Sequence, residues 1–79
     1  MQNDPARVVK RSLTIAGHAT SISLEEPFWV ALKAIAVRES VSLAALVQRI
    51  DQTRKGTNLS SALRVFVLQD AQARAVRGD

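Results

Sequence analysis

Three sets of side chains in this sequence have chemistry to offer: the bases Arg7, Lys10 and Arg11, the imidazole of His18, and the hydroxyls of Ser12, Thr14, Ser21, Ser23, Ser42, Ser60 and Ser61. A serine nucleophile needs a positioned base and an oxyanion site, and the one histidine lies far along the chain from the Ser60-Ser61 pair. Glu25 and Glu26 are accounted for by the positive end of a helix macrodipole rather than by acid–base work. With no cysteine and a single histidine the chain lacks the donors of a metal site. The expectation is therefore a protein that is not an enzyme and takes no cofactor or metal.

The bases carry more information. Eleven Lys and Arg stand against seven Asp and Glu, a net charge of +4, which favours a polyanionic partner. Between Arg7 and Leu24 no acid faces them, and every acid except Asp4 lies in or beyond the segments of helical period. A solvated basic tail is the competing account of the same residues.

Positioning these groups requires ordered elements, and 79 residues suffice for one domain. A chain this small buries only about 60% of its unfolded surface, so association with a second copy is an expected source of stability. Residues 1–8 read as a flexible arm interrupted by Pro5, residues 9–71 as the domain, and residues 72–79 as a polar tail. From Val9 the apolar residues alternate, with Val9, Leu13 and Ile15 on one side and Lys10, Ser12 and Thr14 on the other, although Arg11 interrupts the apolar side. A second alternation sets Thr20, Ile22 and Leu24 against Ser21 and Ser23, and the Gly17 stretch between them allows either a hairpin or two separate strands.

Phe28, Ala31, Leu32, Ile35 and Ala36 then recur at helical spacing, which predicts a helix over 26–39 with Trp29 beside its stripe. Ser42 can cap a second helix bearing Leu43, Leu46, Val47 and Ile50, ending near 54–56. Thr57 or Asn58 can cap a third with Leu59, Ala62, Leu63, Phe66 and Val67, which Val65 and Leu68 widen into a surface needing cover on more than one side. No apolar run approaches the roughly 20 residues that span a bilayer, and the N-terminal residues lack a secretory pattern, so a cytoplasmic protein without a membrane partner is expected.

Strand material running into helices, with Ser42 opening the second, resembles the ribbon-helix-helix fold of the Arc and methionine repressors. The sequence is more closely similar to a bacterial family known as a ribbon-helix-helix domain. Its marks are Thr20-Ser21-Ile22-Ser23-Leu24-Glu25, the Phe28-Trp29 pair and Asn58-Leu59-Ser60-Ser61-Ala62-Leu63-Arg64, a likeness covering roughly residues 10–69. The resemblance implies a mainly α, intertwined homodimer in which one strand from each chain pairs antiparallel and the resulting ribbon enters the major groove of DNA.

On that likeness Ser21 and Ser23 point to the bases while Ile22 and Leu24 point to the core. Serine hydroxyls read bases less selectively than the Arg, Asn or Gln common in such ribbons. Two arrangements stay open: Lys10, Arg11 and His18 supply phosphate contacts to a serine ribbon, or an earlier strand carries Lys10, Ser12 and Thr14 into the groove. Ser42 is placed against the DNA backbone by the resemblance, with plain capping as its other role. His18 also has the ordinary alternative of an idle, exposed loop residue.

Glu39-Ser40-Val41 stands where relatives often have glycine, so Ser40 must accept the turn. Ile22, Leu24, Trp29, Leu46, Ile50 and Phe66 are the expected dimer or partner interface, and Arg64 suits either an ion pair or a solvated face. The function expected is a homodimeric DNA-binding transcriptional regulator. The second is an adaptor or antitoxin-like protein whose third helix docks on a protein partner.

Overall fold

The computed structural model describes residues 4–78, so the first three residues of the expected arm and the last residue of the expected tail lie outside it. The elements run β1 (Val8–Ile15), β2 (His18–Glu25), α1 (Glu26–Glu39), α2 (Leu43–Thr53) and α3 (Leu59–Arg77). This is a two-stranded antiparallel sheet followed by three helices.

The two alternating stretches pair with each other within one chain, Val8 opposite Glu25 through to Ile15 opposite His18. Ala16 and Gly17 close the hairpin with φ of 52° and 85°. Positive φ at both central residues is what a type I′ turn demands, because its twist matches that of the strands. Of the two possibilities left open by the Gly17 stretch, the chain forms the hairpin rather than two separate strands.

Each helix begins and ends for a local reason. Pro27 sits in the first turn of α1, where its missing N–H costs nothing. At the other end Ser40 takes the left-handed conformation, φ 59°, while the Ser40 and Val41 amides donate to the Val37 and Ala36 carbonyls. Serine occupies a position that favours glycine. The Ser42 hydroxyl accepts from the Ala45 amide at 3.0 Å to cap α2, and the Asn58 side chain accepts from the Ser61 amide at 2.8 Å to cap α3.

The core lies between the inner face of the hairpin and the three helices: Ile15, Ile22 and Leu24 from the strands, Trp29, Leu32, Ile35 and Ala36 from α1, Leu46, Val47 and Ile50 from α2, and Leu63 from α3. Trp29, expected beside the α1 stripe, is fully buried at its centre, whereas Phe28 only packs against the edge of the core. The reason is polar: the indole Nε1 donates to the Val9 carbonyl at 2.9 Å, which lets the largest side chain of the core satisfy its one donor.

α3 continues to Arg77, through residues expected as a polar tail. Ala71, Ala73 and Ala75 are the best helix formers, Arg74 pairs with Asp70 one turn back at 3.0 Å, and Gly78 closes the helix at φ 80°. Arg38 of α1 meets the same Asp70 at 2.6 Å and ties this extension to the bundle.

Candidate nucleic-acid interface

The strand period of two divides the hairpin into two faces. Val9, Leu13 and Ile15 of β1 and Ile22 and Leu24 of β2 face the helices, while Lys10, Ser12, Thr14, Ser21 and Ser23 are all exposed. The register sets Lys10 opposite Ser23, Ser12 opposite Ser21, and Thr14 opposite Ala19. Both strands therefore contribute to one polar face, Lys10, Ser12 and Thr14 from β1 and Ser21 and Ser23 from β2.

Rows of side chains on that face repeat every two residues, about 6.8 Å along the strand, with neighbouring strands about 4.8 Å apart. The hydroxyls of Ser12, Thr14, Ser21 and Ser23 both donate and accept, and one ammonium stands at a corner. Lys10 has no ion-pair partner among the described residues, unlike Arg11, Arg38, Arg49, Arg54, Arg64 and Arg74. The one acid in register with the face, Glu25, sits at its end and is held by Arg64, whose Nε donates to it at 3.0 Å. Glu25's own backbone amide and Arg64 hold that carboxyl below the ordinary glutamate range.

Arg11 stands apart from the other expected DNA contacts. It shares the inward side with Ile22, its register partner, and lays its guanidinium 5.6 Å from the centroid of the Trp29 ring, with Glu26 3.9 Å away. A cation over the indole face explains how a base fits on an otherwise apolar side. His18 is exposed beside the turn, on the Ile15 side of the ribbon rather than the Lys10 side. Ser42 is exposed at the start of α2 with its oxygen engaged in the cap.

The residues expected to form a dimer interface are placed differently. Ile22, Leu24, Trp29, Leu46 and Ile50 are buried in the core of a single chain, so among the expected interface residues only Phe66 retains surface. The apolar side chains that do face outward include Val65 and Leu68 of α3, 50% and 55% exposed.

A further contact escapes a reading of periodicity. The Ser60 hydroxyl donates to the Ser23 carbonyl at 3.0 Å, alongside the Arg64–Glu25 pair. Both contacts join the strand motif Thr20 to Glu25 to the helix motif Asn58 to Arg64. Together with Asn58 as cap, they give three of the motif's polar residues structural employment in fixing α3 to β2.

Strand material feeding two helices in this way is consistent with a ribbon-helix-helix domain, and the model of the ribbon-helix-helix domain family matches residues 8–71; the chain belongs to that family. Among solved structures it is similar to an uncharacterized protein from Bordetella pertussis Tohama I, with 34% sequence identity and a TM-score of 0.75. The likeness covers 94% of this chain and 62% of that one, so the chain spans about three fifths of the length of its solved relative. No curated protein matches it. Among the described residues no helix is long and apolar enough to cross a membrane, and no cluster of acids and histidine is arranged to hold a metal ion.

Proposed function

We propose that this chain is a DNA-binding regulator that lays the outer face of the β1–β2 hairpin in the major groove. The observation that carries the reading is the gathering of Lys10, Ser12, Thr14, Ser21 and Ser23 on one exposed face of a two-stranded ribbon, with its one acid already neutralised. The major groove is about 12 Å wide and admits a two-stranded ribbon. Hydroxyls reach base edges there with modest selectivity, and Lys10 adds a phosphate contact that is sequence-independent. Two copies acting on an inverted repeat complete the reading, and DNA as partner implies action in the bacterial cytoplasm.

Selection of bound duplexes from a random pool, at low and at near-physiological salt, tests it. An inverted repeat enriched at both salts is the expected result. Absence of any enriched or retained duplex at either salt would sink the proposal.

Val65 and Leu68 favour a second reading, an adaptor or antitoxin-like role in which α3 docks in the groove of a protein partner. A purified partner whose binding survives changes at Lys10 and Ser21 but not Val65→Ser with Leu68→Ser would support that role in place of DNA.

A further inference from the structure

The geometry points to a small-molecule site, separate from the ribbon's outer face, that takes a free α-amino acid with an apolar side chain. The site is the cleft between the N-terminal turn, the inward side of β1 and the start of α1, with a volume of about 710 Å³. Clefts of this size hold small ligands. The inference stands apart from DNA binding and is tested without DNA.

The backbone fixes the walls. The Asp4 carboxylate accepts from the Ala6 amide at 2.9 Å and the Asp4 carbonyl from the Arg7 amide at 2.9 Å, which closes a turn. The Glu26 amide donates to the Arg7 carbonyl at 3.1 Å and ties that turn to α1. Pro5, Val9, Pro27 and Val30 then line the cleft with apolar surface, and Val30 is left 57% exposed. Such surface gains from cover by an apolar group.

Two bases and two acids line the same cleft, Arg7 and Arg11 against Asp4 and Glu26. Their formal charges cancel, which suits a ligand of no net charge better than an anion or a cation. One pair also stands open. Arg11 lays its guanidinium over Trp29, and its Nη2 stays 3.9 Å from Glu26 Oε1, beyond hydrogen-bond distance. Arg11 Nε and Glu26 Oε1 are both buried without a hydrogen-bond partner, and among the described residues no other buried side-chain polar atom is in that condition. Buried polar groups are nearly always paired, so a donor and an acceptor left side by side require a third group. Both side chains keep exposed surface, 36% and 47%, so a ligand in the cleft meets their charged ends.

An α-amino acid carries a carboxylate and an ammonium on one carbon. It brings an acceptor to Arg11 and a donor to Glu26 at the close spacing of this pair, and its side chain lies along Val9, Pro27 and Val30. A residue within a peptide has lost one or both of those charges to amide bonds, and a bridging water leaves the apolar wall uncovered.

The test titrates the full chain, isotope-labelled for nuclear magnetic resonance, with L-valine, L-leucine, L-isoleucine, L-methionine and L-phenylalanine in turn. The chain has one tryptophan, so the indole Nε1–H beneath Arg11 gives a single resonance that reports on the site. Saturable shifts of that resonance and of the Arg7, Arg11 and Val30 amides are expected with at least one of these amino acids, at a Kd of about 1 mM or tighter. The N-acetyl and amide derivatives of the same amino acid each lack one charge and should bind about tenfold or more weakly, the loss of one charge-assisted hydrogen bond. Glu26→Gln should weaken binding by a similar factor. Val30→Asp, at an exposed wall position, should do the same, whereas Lys33→Ala, on α1 outside the cleft, should leave the Kd unchanged. Absence of a saturable shift with every amino acid of the set up to about 20 mM overturns the inference. So does a Kd that is unchanged in the two derivatives, or unchanged in both E26Q and V30D.

Discussion

Replacing Lys10 with alanine should weaken binding to every duplex and flatten its salt dependence, whereas Arg11→Ala, one residue along, should do neither. Lys10 is the unpaired base on the ribbon's outer face; Arg11 is turned inward over Trp29 and beside Glu26. Each phosphate neutralised by a base contributes about 0.9 to the slope of log K against log salt, so losing one contact shrinks the advantage of the parent over K10A by about 3.5-fold between 50 and 200 mM salt. Fluorescence anisotropy titrations of one labelled duplex at four or more salt concentrations would read the slopes directly. Arg11→Ala should instead cost stability, by no more than about 1 kcal/mol, because the pair with Glu26 is solvent-screened and the stacking is partly exposed. An unchanged slope in K10A, or an equal loss in R11A, would refute the assignment of the two strand faces.

Other outcomes follow from the fold. Ser40→Gly should raise stability by about 1 kcal/mol, seen as a higher urea midpoint at unchanged slope, since it removes the Cβ penalty of the left-handed region. Leu63→Ala should destabilise by about 2–5 kcal/mol, but Leu68→Ala, on the exposed side of the same helix, by no more than about 0.5 kcal/mol. The Glu25 carboxyl titrates below its ordinary value, so its contribution to stability is present above about pH 4.5 and is lost as pH falls through the lowered folded value. Glu25→Gln should accordingly flatten the acid limb of a stability-versus-pH curve, and an unchanged limb would show that the backbone amide and Arg64 do not hold this carboxylate in solution.

Much of the architecture is legible in the residues because local rules and tertiary needs agree. The α1 bounds follow from the Glu25-Glu26-Pro27 start and the Phe28 to Ala36 spacing, and the starts of α2 and α3 from Ser42 and Asn58. Alternation likewise identifies both strands. It cannot say which strand pairs with which, since a period of two fixes faces and not partners; the hairpin depends on a positive φ at Ala16, a residue that does not favour it. Charge groups Arg11 with Lys10, yet successive strand residues point to opposite faces, and a base can sit on the apolar side when an indole lies beneath it. The core residues are recognisably apolar, but their burial within one chain depends on α3 closing over β2, a long-range packing that spacing alone does not encode.

That closure links the helix motif to the ribbon's width. An open strand edge invites another strand, and proteins commonly guard against this with charge or cover. On β1 the edge carries Lys10. β2 has no charge between Ala19 and Ser23, and there the guard comes from α3: Ser60 takes the Ser23 carbonyl and Arg64 holds Glu25 beyond it. At the opposite end the Ala16 amide of the turn donates to the Gln48 side chain of α2 at 3.2 Å, which ties the hairpin's tip to the helices. The unguarded stretch of β2 is then only the part from Ala19 to Ser21, less than a partner strand of ordinary length would need. A hairpin held in this way presents a two-stranded ribbon, a width that a major groove accepts.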